Sequence, residues 1–258
     1  MIMTNKMKLC VLKAHKKVFV DWFQSPYRGW IVGVSASVLL SACSSSNTPN
    51  YYSLTPKITP VVQSNQVRVI EVLPVGLADR LNRIPLVIQS PKGESKVLNE
   101  DRWTSTLSAE LRDGLSAGLQ QKLGAFDRYN SGMTGGKAAY RIAVDFSRFD
   151  FIQNAERIQS KRSQQTADQI EVAVAWTVKY DDPNRPLSNP KNAQESPKSQ
   201  QLSCRMQWVQ PIATANPKLL DVVETSRQSL TQVVDAIATS VLDFERKQKA
   251  FIQNGTCT

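Results

Sequence analysis

Alternating apolar and polar residues predict three long β-strands in the second half of the chain. The clearest alternation is QIEVAVAWTVKY at 169–180, and a similar pattern runs through 138–152. In the stretch 138–152 the apolar residues change from even-numbered to odd-numbered positions midway, which predicts a β-bulge near Ser147–Arg148. A third strand is predicted around Cys204, in the stretch QLSCRMQWV. One apolar face per strand is typical of an antiparallel sheet that is covered on one side.

Two long helices are predicted by apolar residues at helical spacing. The first has a row at every fourth position: Trp103, Leu107, Leu111, Leu115 and Leu119. We expect Asn99 to cap it, with Glu100 and Asp101 in its first turn and Gly124 at its end. The second is expected to start at Asn216–Pro217 and to keep one apolar stripe as far as Phe244.

Shorter strand-like segments, at 66–73 and 86–89, precede these elements. The economical arrangement is a two-layer α+β domain over 51–250, with a mostly antiparallel sheet and two long helices on one face. Within it we expect a Pro-rich flexible insertion at 182–200. Residues 251–258 are expected to form a frayed tail.

Residues 1–42 have the pattern of a lipoprotein signal peptide. A basic segment precedes an uncharged apolar or small run at 29–42, whose 14 residues fall short of the roughly 20 that a spanning helix needs. The residues Leu40-Ser41-Ala42-Cys43 match the bacterial lipobox, in which the cysteine thiol takes up the diacylglyceryl group. We therefore predict cleavage before Cys43, lipid modification of Cys43 and a tether over 43–50. The alternative is an ordinary signal peptide, or a signal anchor, with a chance cysteine.

The predicted compartment restricts the chemistry. Ser44, rather than Asp, follows the cysteine, which favours export to the periplasmic face of the outer membrane. The only histidine, His15, lies in the predicted leader, so histidine-based nucleophile pairs and the usual zinc sites are excluded from the mature chain. The stretch GMTGGK at Gly132–Lys137 lacks the ending of a phosphate-binding loop. We expect no catalytic residues, no cofactor and no metal site, and hence a protein that is not an enzyme.

Charge and the remaining cysteines add little chemistry. The leader holds half of the formal net charge of +10, and the rest is too diffuse to suggest a nucleic acid partner. Cys204 and Cys257 remain in an oxidising compartment where they could pair in a disulfide. Burial of Cys204 as a free cysteine in the core is the alternative.

Several stretches together resemble the paraquat-inducible lipoprotein C (PqiC) family, the ABC-type transport auxiliary lipoproteins. They are the lipobox followed by YYSL, then VLPVGLADRLNRIPLVI, EDRWTSTLSAEL, YRIAVDFSRFD and SLTQVVDAIATSVLDFE. The resemblance implies a non-catalytic subunit of a lipid-trafficking system, partnered with an MCE-domain (PqiB-like) protein that bridges the envelope. It also implies attachment to the outer membrane through the lipid anchor and assembly as a homo-oligomer.

Two other functions fit the same pattern. One is a different outer-membrane binding lipoprotein, such as an activator of a cell-wall synthase or an envelope assembly factor. The other is an exported hydrolase, which the lack of histidine disfavours. The exposed candidates for partner contact are the polar loop 154–168 and the GLADR segment, 76–80, and the sequence does not favour either.

Overall fold

In the computed structural model, the described residues are 48–56, 68–129, 137–153, 168–182, 201–213, 217–246, 250 and 252–258. Their two helices are α1 (Leu107–Leu123) and α2 (Leu219–Glu245). The strands are β1 (Asn50–Tyr52), β2 (Arg68–Val72), β3 (Gly76–Leu77), β4 (Pro85–Gln89), β5 (Ser95–Trp103), β6 (Ala125–Asp127), β7 (Ala139–Ile152), β8 (Gln169–Asp181), β9 (Gln201–Pro211) and β10 (Gly255–Cys257).

These strands form one mixed sheet in the order β1-β5-β4-β7-β8-β9-β10, with β2 and β3 also paired to β7 and with β6 paired to β2. The longest ladders, β7 with β8 and β8 with β9, are antiparallel. The shorter pairs of β1, β2, β3 and β6 are parallel. The outermost strands β1, β6 and β10 have only three residues each.

The predicted bulge in β7 is confirmed. The register between β7 and β8 shifts between Phe146 and Arg148, so Ser147 is the extra residue. The shift returns Phe149 and Phe151 to the core side, where both are buried. Without it, the two phenylalanines would face the open side of the sheet.

Both helices cover the same face of the sheet and lie parallel to each other. Gly114 of α1 lies against Leu230 of α2, and Gly118, one turn later, lies against Val234. The contacts therefore advance in the same direction along both helices. The apolar stripe predicted for α2 is confirmed, and its buried members include Val222, Val223, Leu230, Val233, Val234, Ile237 and Val241. The α+β class with two helices on one face is therefore borne out.

The predicted start of the first helix is wrong. Asn99, Glu100 and Asp101 lie in β5, and α1 begins at Leu107 after the extended residue Thr106. β5 pairs with β4 just before and just after these residues, and Asp101 itself pairs with Asn50 of β1. This backbone pairing outweighs the local capping signals. The predicted end is confirmed, because Gly124 has φ 56° and its N–H donates to the carbonyl of Gln120.

The start of α2 also differs from the prediction. It begins at Leu219, two residues after Pro217, and the carboxylate of Asp221 accepts a hydrogen bond of 2.7 Å from the backbone N–H of Lys218. Asn216 lies outside the described residues. The first turn is therefore capped by an aspartate within the helix rather than by the predicted asparagine.

The expectation of a frayed tail is also wrong. Gly255–Cys257 forms β10, which pairs with β9, and a disulfide joins Cys257 to Cys204. The two cysteines lie directly opposite each other in the ladder. The sheet thus extends almost to the last residue. The predicted tether also overlaps the sheet by one residue, because Asn50 belongs to β1.

Within the described ranges, neither helix has the length and the apolar composition that a membrane crossing needs. Most of the polar loop 154–168 and of the insertion 182–200 lies outside those ranges.

Candidate functional site

The predicted lipid-modification residue, Cys43, lies outside the described residues, so the candidate site is built from where the chain enters the domain. Asp101 of β5 accepts hydrogen bonds from the Asn50 amide and the Tyr52 hydroxyl, both at 3.1 Å. Leu54 follows and is buried at 1% exposure. The chain is thus held firmly from β1 onward.

Glu110, on α1, fixes this entry segment to the helices. Its carboxylate accepts hydrogen bonds from the backbone N–H of Leu54 at 2.9 Å and from the hydroxyls of Thr104 and Ser105. Burial pushes the pKa of Glu110 upward, but these hydrogen bonds outweigh it and leave the pKa below its ordinary value. Arg227 of α2 also donates to the carbonyl of Ser53 at 2.9 Å, so both helices hold the segment.

A second buried carboxylate, Asp127, ties α1 to the sheet. It accepts hydrogen bonds from Arg112 at 2.9 Å and from the Ser116 hydroxyl at 2.6 Å. The backbone N–H groups of Val72 and Tyr129 also donate to it, at 3.2 Å and 3.0 Å. A carboxylate surrounded by donors in this way serves the structure and is not free to act as a catalytic base.

The GLADR segment is held to the sheet by Arg80. Its guanidinium donates to both carboxylate oxygens of Asp150 at 2.8 Å, and Gln89 donates to the same carboxylate at 2.6 Å. Asp150 is 2% exposed, and its burial raises its pKa although Arg80 opposes the rise. The arginine of this segment is therefore used by the fold, and Asp79 beside it is left exposed.

The other candidate contact, the loop 154–168, is described only at Asp168. The carbonyl of Asp168 accepts a hydrogen bond of 2.8 Å from the N–H of Ile212, which joins the start of β8 to the end of β9. The rest of the loop lies outside the described residues.

Two cavities open on opposite faces of the domain. One, of about 660 Å³, lies on the uncovered face of the sheet and is lined by polar and small residues that include Asp145, Ala175 and Arg205. The other, of about 330 Å³, lies between α1 and α2 and is more apolar, with Leu54 and Val234 among its lining. Within the described ranges, no group of histidine, cysteine or acidic residues could hold a metal ion.

The comparison with known families gives one match. The model of the family described as the ABC-type transport auxiliary lipoprotein component matches residues 52–238. The chain belongs to this family. By that description the family consists of auxiliary components, so the chain is an envelope-associated accessory lipoprotein of a transport system. No curated protein matches the chain.

Two solved structures share the fold. A crystal structure of an uncharacterized protein has a TM-score of 0.52 at 17% identity and covers 76% of this chain and 99% of its own. Protein XCC0632 from Xanthomonas campestris has a TM-score of 0.51 at 15% identity and covers 77% of this chain and 98% of its own. Identity this low supports the shared fold and no more.

Sequence reasoning missed the two buried carboxylates that bond to α1 or to the segments packed on it. Glu110 and Asp127 are 4% and 8% exposed. The signal available was the row of polar residues Glu110, Arg112 and Ser116 among the leucines of α1, since charged residues are seldom buried unless they are paired. Glu110 holds the entry segment against α1, and Asp127 holds α1 against the sheet.

Proposed function

We propose that the chain is a periplasm-facing outer-membrane lipoprotein that serves as a docking or assembly subunit of an MCE-type, Pqi-like system for lipid transport between membranes. The family match carries this proposal, because it begins at Tyr52, only nine residues after Cys43. An acylated Cys43 followed at once by a folded auxiliary domain is the arrangement expected of a membrane-anchored accessory subunit. Its role is to support envelope integrity without catalysing a reaction.

The anchor follows from the chemistry of the lipobox. A cysteine carrying a diacylglyceryl group and an acyl chain on its amino group has three chains, and stable anchoring needs more than one. Ser44 in the position after the cysteine supports delivery to the outer membrane. The folded residues from Asn50 onward are then presented to the periplasm.

The described side chains favour binding over catalysis. The buried carboxylates Glu110, Asp127 and Asp150 are engaged by hydrogen-bond donors and contribute to the fold. The partner in this proposal is an MCE-domain protein that spans the envelope, and several copies of the chain assemble around it.

Affinity capture tests the partner. A full-length chain with a C-terminal tag, solubilised from membranes in mild detergent, should retain an MCE-domain protein that mass spectrometry identifies. The control is Cys43→Ser, which should leave the chain unacylated and reduce the recovery from outer membranes. If the acylated chain retains a cell-wall synthase and no MCE-domain protein, the transport role is wrong and the alternative binding role is supported.

The anchor has a separate test. Mass spectrometry of the N-terminal peptide should show the lipid on Cys43, and globomycin should block maturation. If the chain stays firmly in the outer-membrane fraction after Cys43→Ser, the lipid anchor is wrong.

A further inference from the structure

The direction of β1 shows which way the chain leaves the domain. β1 runs parallel to β5, with Asn50 opposite Asp101, and β5 runs antiparallel to β4. The end of β4, Gln89, lies opposite the end of β7, Ile152. At Asn50 the N-terminal direction of β1 therefore points toward the end of the sheet where β7 finishes. We call this the anchor end.

Both helices begin near the anchor end. Val222 and Ser226, in the first turns of α2, line a small cavity together with Phe149 and Ile170 near that end. Ser240, further along α2, bonds to Trp176 in the middle of the sheet. Because α1 lies parallel to α2, both helices point away from the anchor end.

The length of the tether excludes the opposite end from the membrane. Seven residues, Ser44 to Asn50, span at most about 25 Å when fully extended. Asn50 pairs with Asp101, and the next residue, Arg102, pairs with Pro85. Counting back from the pairing of Ile88 with Phe151 puts Pro85 level with Arg148 of β7. From that level to Ala139, at the far end of β7, is about 30 Å of strand. A lipid on Cys43 therefore could not reach a membrane beyond the far end.

Exposed apolar side chains lie where the two helices begin, because the carbonyl of Arg83, next to Ile84, accepts a hydrogen bond from the N–H of Leu107, and Leu220 is in the first turn of α2. Leu220 is 64% exposed, the highest value among the large hydrophobic side chains in the described ranges, and Ile84 is 42% exposed. Their near neighbours Val222 and Pro85 line the same small apolar cavity of about 30 Å³. The backbone beside each exposed side chain therefore borders the same apolar cavity.

Basic residues accompany them. Arg83 precedes Ile84, and Lys218 comes just before α2; both are exposed. Across the described ranges, neither has a carboxylate within ion-pair distance. Asp79 and Asp221 oppose them in part; the Asp221 carboxylate accepts a hydrogen bond of 2.7 Å from the Lys218 N–H at the positive N-terminal end of α2. Apolar side chains with a basic rim suit the interface of an anionic bilayer.

We propose that the anchor end of the domain lies on the bilayer surface, with Leu220 and Ile84 in the headgroup region and with Arg83 and Lys218 against lipid phosphates. The partner is an anionic lipid surface. The orientation rests on the proposed lipid anchor at Cys43, because the tether supplies the limit on distance. The far end of the domain, where α2 finishes, is then presented to the periplasm.

Cysteine accessibility tests this orientation. Leu220→Cys and, as a matched control, Phe126→Cys would be made in the full-length chain; Phe126 is 38% exposed and lies in β6, at the far end. Each acylated protein is reconstituted in vesicles of equal parts phosphatidylethanolamine and phosphatidylglycerol. The labelling rate with a bulky maleimide is compared with the rate in non-ionic detergent. Circular dichroism shows whether each variant has kept its fold.

We expect the ratio of the labelling rate at position 220 to the rate at position 126 to be several-fold lower in vesicles than in detergent. Adding Arg83→Glu and Lys218→Glu should restore much of the labelling. An unchanged ratio, or protection of position 126 instead, would overturn the orientation.

The two proposals fail in distinguishable ways. Vesicle flotation and the mass of the N-terminal peptide report on the anchor independently of labelling. If the protein is acylated and floats but position 220 is unprotected, only the orientation is wrong. If it is not acylated, the anchor is wrong and the orientation falls with it.

Discussion

The indole Nε1 of Trp176 donates a hydrogen bond to the Ser240 hydroxyl across 3.0 Å, between β8 and α2. Trp176 is 2% exposed and Ser240 is fully buried. The same hydroxyl donates to the carbonyl of Ile237 at 2.7 Å, so both polar side chains are satisfied. This hydrogen bond between β8 and one turn of α2 fixes the position of the helix along the strands.

Trp176→Ala should lower the free energy of unfolding by about 3–5 kcal/mol, because it leaves a large cavity in the core. Trp176→Phe is the matched control, since it keeps a ring but loses the donor. That control should cost less than the alanine variant. Urea unfolding followed by circular dichroism measures both. An unchanged midpoint for the alanine variant would show that the side chain does not fill the core.

Gly118→Ala should destabilise the protein even though alanine favours helices. The added Cβ would lie 2.8 Å from the Val234 Cγ2, and valine has little rotamer freedom to move aside. Overpacking of this type costs about 1–3 kcal/mol, whereas the helix propensity gain is about 1 kcal/mol. The double variant Gly118→Ala with Val234→Ala should relieve the clash. Melting temperatures that rise in the single variant would contradict the close contact of the helices.

Loss of the disulfide should release the C-terminal strand. The bond closes a loop with a sequence separation of 53 residues, and removal of native disulfides typically costs about 2–5 kcal/mol. Cys257→Ser should therefore lower the urea midpoint and speed amide exchange in β10. Dithiothreitol should act similarly on the wild type and should not affect the variant. Equal exchange in the oxidised and reduced proteins would show that β10 does not depend on the bond.

Glu110 should make the protein less stable in acid. Its folded pKa lies below its ordinary value, so its contribution is fully present above the unfolded pKa and is lost as the pH falls through the folded pKa. Glu110→Gln should lower the free energy of unfolding at neutral pH. Below the ordinary pKa of a glutamate, the free energy of unfolding of the variant should fall less steeply with decreasing pH than that of the wild type. Urea unfolding across pH measures this, with Glu100→Gln, at an exposed position, as the control. A variant with an unchanged acid profile would contradict the assignment.

Asp150 should show the opposite sign. Burial raises its folded pKa, so between the two pKa values stability falls as the pH rises. Arg80→Ala should be more damaging at neutral pH than Asp150→Asn, because it leaves a buried carboxylate without its cation. Combining both substitutions should recover part of the loss. Unfolding midpoints of the three variants decide this, and equal losses in both single variants would contradict it.

The sequence alone determined the features that depend on neighbouring residues in one element. Strict alternation located β8 and β9, the phase shift located the bulge at Ser147, and apolar spacing located the stripe of α2. The lipobox at Cys43 is likewise a local pattern, and it led to the predictions of compartment and anchor. Each of these signals is complete within a few residues of the chain.

Contacts between distant segments decided the remaining features. Asn99 and Glu100 belong to β5 because the strand on either side of them is paired, with β4 at Leu98 and Arg102 and with β1 from Asp101 onward. Gly255–Cys257 forms a strand because β9 offers a free edge and Cys204 a partner. The parallel approach of α1 and α2 depends on Gly118 meeting Val234, more than a hundred residues later. Local patterns determine which elements can form, but pairing and packing energies between elements exist only in the folded chain and select among them.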